Sequence, residues 1–181
     1  MLARAPEADL LRVASELDLV PAGSTFAQAP PPKNWEDTKD FRLFISHISK
    51  DKVIATRLKG ALAKYDIAGF VAHEDILPTL LWQDEIELAL QTIDALIAVH
   101  PVGFSASIWT QQEIGYALDR GVKVISFKMG EDPTGFIGKH QAVPRRDRTA
   151  EQIAEEIDKL LENDARTKDR LEEAKKLVWV F

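Results

Sequence analysis

The sequence predicts an α/β fold, a doubly wound parallel sheet of four to five strands with helices on both faces. Three observations predict it. From Phe41 to about Leu161, short apolar runs alternate with segments whose apolar residues recur at helical spacing, and a β-α-β-α order of this kind demands a parallel sheet. The runs beginning at Ile67, Ala95 and Val122 are almost wholly apolar, as strands buried on both sides should be. The composition, 45% hydrophobic and 29% charged over 181 residues, is that of a globular chain long enough for one domain with short appendages.

Residues Met1 to Val20 carry a short helical pattern (Leu10, Ala14, Leu17), with Pro6 at a first-turn position. Pro21 to Lys33, ending in Pro30-Pro31-Pro32, reads as a linker, so residues 1–39 form one appendage. The domain spans residues 40–162 and opens on the aromatic-rich strand Phe41 to Ser46. Ile54, Leu58, Ala61, Leu62 and Tyr65 then fall on one helical face. Ile67 to His73 is the second strand, and Glu74 to Leu81, holding Pro78, is a loop. Ile86, Leu90 and Ile93 mark the next helix, and Ala95 to Val99 the third strand. Ile114, Ala117 and Leu118 give the third helix its buried stripe, which Gly121 ends. Val122 to Phe127 is the fourth strand, and Gln141 to Val143 is expected as a short fifth. A helix from Ala150 to Leu161 turns Ile153, Ile157 and Leu160 inward. Residues 163–181 are a charged helical tail with an abruptly apolar end, and Leu171, Ala174, Leu177 (or Val178) and Phe181 form a stripe able to dock on a surface.

The same composition excludes several functions. A formal charge of −6 leaves no basic footprint for nucleic acid. With no cysteine there is no disulfide framework and no thiolate metal site. No apolar stretch is long enough to span a membrane, Met1 to Leu11 lacks a signal-peptide core, and a cytoplasmic location is expected.

In sheets of this kind ligands bind beyond the carboxyl ends of the strands. Ser46-His47-Ile48-Ser49-Lys50-Asp51 follows strand one, His73-Glu74-Asp75 strand two, and His100-Pro101-Val102-Gly103 strand three. Neither glycine-rich phosphate cradle is present, and the acidic residues of a phospho-receiver are missing after strands one and three. Trp109 and Glu113, four residues apart, share one side of the third helix near its start, with Glu113 about 100° around from the buried Ile114. An indole wall beside a carboxylate suits a nucleoside. On spacing alone, a half-buried core aromatic beside a solvated glutamate is the commoner reading. His47, His73 and His100 each follow a different strand, which makes a metal site a rival reading of a flavodoxin-like edge, although they lack the close spacing of common metal motifs. Arg145, Arg146 and Arg148 are the one basic cluster and read as a solvated loop leading into the last domain helix.

Taken together, several boxes resemble those of Toll/interleukin-receptor (TIR) domains. Phe44-Ile45-Ser46-His47 with Ser49-Lys50-Asp51 looks like the first-strand box, with His47 where an aromatic is frequent. Gly69-Phe70-Val71 through Glu74-Asp75-Ile76, then Trp82-Gln83-Asp84-Glu85-Ile86, is similar to the second strand, BB loop and following helix. Trp109-Thr110-Gln111-Gln112-Glu113 matches the W-x-x-x-E of bacterial and plant-type members. The resemblance runs in order from about Phe41 to Gly138.

That resemblance implies an enzyme cleaving the nicotinamide–ribose bond of NAD+, with Glu113 catalytic and Trp109, His47, Ser49, Asp75 and Trp82 as substrate contacts. NAD+ is then the substrate, and no metal or other cofactor is required. The products are nicotinamide with ADP-ribose or a cyclic isomer, in a bacterial defence pathway. The partners implied are further copies of the chain through TIR–TIR contacts, and other TIR or effector proteins. The apolar end of the BB loop, Ile76 to Leu81, is a surface for such contacts. A non-catalytic adaptor is the rival class, and another N-glycosidic enzyme using a glutamate is a third.

Overall fold

The computed structural model describes Trp35, residues 38–71 and residues 82–177, the side chains of Trp82, Gln83 and Leu177 excepted. Five strands, β1 (Phe41–Ser46), β2 (Ile67–Phe70), β3 (Ala95–His100), β4 (Lys123–Lys128) and β5 (Val143–Pro144), form one sheet in the order β2-β1-β3-β4-β5. Every pairing is parallel, with Phe44 opposite Phe70 and Leu96, and Ala98 opposite Ser46 and Ser126. Parallel neighbours need crossovers, which the helices α1 (Lys52–Leu62), α2 (Trp82–Thr92), α3 (Ile108–Asp119) and α4 (Ala150–Glu162) supply or accompany. A last helix, α5 (Lys168–Leu177), lies beyond them.

Alternation along the strands divides the core in two. Phe41, Leu43 and Ile45 face the side covered by α1, α4 and α5, where Leu58, Ile157 and Leu171 join them. Phe44 faces the other side with Leu96 and Ala98, packed beneath Leu90 of α2 and Ile114 of α3. Trp35 belongs to this second cluster, edge-on to Phe70 with ring centroids 5.3 Å apart.

The described elements follow the expected order with local shifts. The fourth strand begins at Lys123 and the fifth is Val143–Pro144. In α4 the residue turned inward is Leu161, not Leu160, because Ile153, Ala154, Ile157 and Leu161 centre the buried arc and leave Leu160 at its edge. This helix starts on a capping box in which Thr149 and Gln152 satisfy each other's backbone N–H. Gly121 at φ 70° closes α3, as its sequence position suggests. Residues 71–73 of the expected second strand extend past β2, with 72 and 73 outside the described residues, as are the linker and the first helical pattern.

The tail docks on the domain itself. Leu171 and Ala174 are buried in the α1/α4 cluster, Lys175 bridges Asp158 and Glu162 of α4, and Arg170 donates to the Asp40 carbonyl at 2.7 Å. Residues 178–181, the apolar end of the expected stripe, lie outside the described residues.

Candidate functional site

At the carboxyl edge, β1 ends on Ser46, which by alternation continues the Phe44 side and so points toward α3. Helix α3 starts on Ser107, whose side chain accepts from the Thr110 N–H, and Thr110 Oγ1 donates in turn to the Phe104 carbonyl at 2.9 Å. That fixes the first turn of the helix and the orientation of Glu113 one turn on. Glu113 is 7% exposed, and the Ser46 hydroxyl donates to its Oε2 at 2.5 Å. Where the helical spacing predicts a carboxylate looking sideways into an open crevice, the structure buries it against the strand end. Burial raises the carboxyl from its ordinary value of 4.5 to about 7, and the Ser46 hydrogen bond pulls the other way.

A groove of about 540 Å³ opens between α2 and α3, a volume ordinary for a small-molecule site. From α3 it takes Trp109, Gln112, Glu113 and Tyr116, and from α2 Ile86, Leu90 and Gln91. Trp109, 47% exposed, forms an open wall, while Glu113 sits at the depth of the groove. The two residues paired by spacing therefore share one cavity. His47 is buried beside Ser46 with Nδ1 3.0 Å from the Ile45 carbonyl oxygen, and Ser49 is exposed in a 3₁₀ turn; neither lines this groove. Asp75 lies outside the described residues, and of Trp82 only the backbone is described, as the first residue of α2.

Around the groove the β3–α3 connection is tied down. Glu131 accepts from the Gly103 N–H at 3.0 Å and the Ser105 N–H at 2.6 Å, and Lys50 donates to the Val102 carbonyl at 2.7 Å. Gly130 passes so close to Val102 that a Cβ there would stand 2.9 Å from the Val102 nitrogen. His100, at the end of β3, is 2% exposed and packs on Phe104 with ring centroids 4.4 Å apart. Burial lowers its imidazole to about 4, against the pull of Glu131, so it stays neutral near pH 7. Among the described residues no group of three His, Cys, Asp or Glu is placed to hold a metal ion, and His73 lies outside them. No described helix is long and apolar enough to cross a membrane.

Residues 43–161 match the family model for the TIR domain. The chain belongs to the TIR domain family. The fold agrees: the TIR domain of the Toll-related receptor TRR-2 from the lower metazoan Hydra magnipapillata superposes with a TM-score of 0.50 at 15% identity, over 56% of this chain and 82% of that one. No curated protein matches the sequence. Within this TIR domain, Ser46 is the partner that sequence reasoning left without a role. Its signal is the period of two in β1, which puts it on the Phe44 face at the carboxyl end of the strand, opposite the buried side of α3. The Glu131 clamp, 28 residues from Gly103, has no local signal at all.

Proposed function

We propose that this TIR domain is an NAD+ nucleosidase that cleaves the nicotinamide–ribose bond, giving nicotinamide and ADP-ribose or a cyclic isomer, in bacterial antiphage signalling. The observation that carries the reading is a buried carboxylate, Glu113, positioned by Ser46 at the depth of a groove walled by Trp109. Loss of neutral nicotinamide leaves an oxocarbenium-like ribose, which a preorganised anion shielded from water stabilises. Glu113 holds the ribose hydroxyls and meets the developing charge, Trp109 supplies an apolar wall, and Asp75 and Trp82 are the further substrate contacts proposed. Binding the cationic nicotinamide ring favours the ionised form of a carboxyl poised near neutrality.

TIR domains generally associate with themselves or with other TIR proteins. The exposed Phe136 (84%) and Ile108 favour such contacts here, and a non-catalytic adaptor is the second reading. The test is to incubate the concentrated protein with NAD+ and identify every product by mass. Nicotinamide with a linear or cyclic ADP-ribose supports the enzyme, and intact NAD+ at every protein concentration rejects it in favour of the adaptor.

A further inference from the structure

A second cavity lies on the opposite face of the sheet from Glu113, between α1 and α4, with a volume of about 550 Å³. Its floor is apolar, built from the buried Leu58, Ala61, Phe127 and Ile153. Its rim carries four cations, Arg57, Lys64, Arg145 and Arg148, against the single carboxylate Glu151, although the whole chain has a formal charge of −6. Arg148 is held in place by Glu156 and the Pro144 carbonyl. Arg57 and Arg145 are exposed and make no ion pair among the described residues. Arg146, between the two loop arginines, takes φ 46°, a left-handed conformation that costs a non-glycine residue energy.

Gly60 adds an independent observation. It lies inside α1, lines the cavity, and has nothing within 4 Å of the position a Cβ would take. A glycine inside a helix costs about 0.5–1 kcal/mol relative to alanine, and neither packing nor a positive φ requires one here. Its missing side chain leaves open space at this part of the cavity lining.

We propose that this cleft is a second ligand site, separate from the Glu113 groove, which takes a small phosphorylated molecule with a flat apolar body. Guanidinium forks match phosphate oxygens in pairs, so the rim suits the phosphates. The Leu58–Phe127–Ile153 floor takes the apolar part, in a volume ordinary for small-molecule sites. The proposal does not depend on NAD+ cleavage.

Titration of the isotope-labelled protein with ADP, with pyrophosphate and with adenosine, followed by amide NMR, tests it. ADP should shift the amides of residues 57–64 and 145–153 saturably, pyrophosphate should act more weakly at the same place, and adenosine should have little effect. Arg57→Glu and Arg145→Glu should each weaken ADP about tenfold or more at unchanged melting temperature, and Gly60→Phe should block it. Shifts concentrated at residues 109–116, no saturable shift with ADP, pyrophosphate binding as tightly as ADP, or binding that survives both charge reversals would each overturn the proposal.

Discussion

On the face covered by α1, α4 and α5, the core runs apolar along the strands, and the buried polar groups of its helices, Asp158 and Thr167, are paired: Asp158 with Lys175, and the Thr167 hydroxyl with the Leu161 carbonyl at 2.6 Å. On the face covered by α2 and α3, the carboxyl ends of β1, β3 and β4 instead carry Ser46, His100 and Ser126, with Thr110 and Glu113 buried against them. There Glu113 has one hydroxyl donor, and both ring nitrogens of His100 are buried without a hydrogen-bond partner. Burying polar groups so sparsely satisfied costs stability. One face therefore holds the fold together, and the other tolerates a local cost at the strand ends where the groove opens.

The largest effect expected from breaking this contrast is on the apolar face. Leu171 of α5 is fully buried in the α1/α4 cluster. Leu171→Ala should cost about 2–5 kcal/mol in denaturant unfolding, while turnover per folded molecule stays unchanged. A loss near zero would mean that α5 does not dock.

Glu113→Gln should act in the opposite direction. A carboxyl whose folded value is raised to about 7 binds its proton more tightly than in the unfolded chain. Its contribution to stability is thus fully present below about pH 4.5 and is lost as the pH rises through about 7. The glutamine variant escapes that loss and should be more stable than wild type at pH 8, by on the order of 1–3 kcal/mol, with little difference at pH 4. Equal melting curves at pH 8 would show that Glu113 is not held in a buried site.

The smallest effect concerns Ser46. Its hydrogen bond favours the ionised carboxylate, so Ser46→Ala should move the acid limb of the pH–rate profile for NAD+ cleavage upward from about 7. An unmoved limb would leave Ser46 a packing residue only.

What could be read from the sequence, and what could not, follows the same division. The strands and the inward stripes of α1 and α3 were legible because period and burial there are set by the same local pattern, in Leu58, Ala61 and Leu62 or in Ile114 and Ala117. The miss at Leu160 is a matter of arc: both it and Leu161 fit a helical period, and only packing against α1 and α5 decides between them. The W-x-x-x-E pair was visible as spacing, and the groove does bring Trp109 and Glu113 together. The depth of Glu113 was not visible, because it depends on Ser46, 67 residues away. The tie between Glu131 and the β3–α3 loop was hidden for the same reason. The arginine cluster looked like a solvated loop because nothing local shows that α1 brings Arg57 and Lys64 to the same cavity.

On the proposed reading, the polar face holds one carboxylate, Glu113, for chemistry on NAD+. Its most direct test is nicotinamide release from NAD+ at pH 8 by wild type and Glu113→Gln side by side, with melting recorded on the same samples. A fall of about 10²–10³ in rate is expected, in a variant at least as stable as wild type. Near-normal turnover by the folded variant would contradict it.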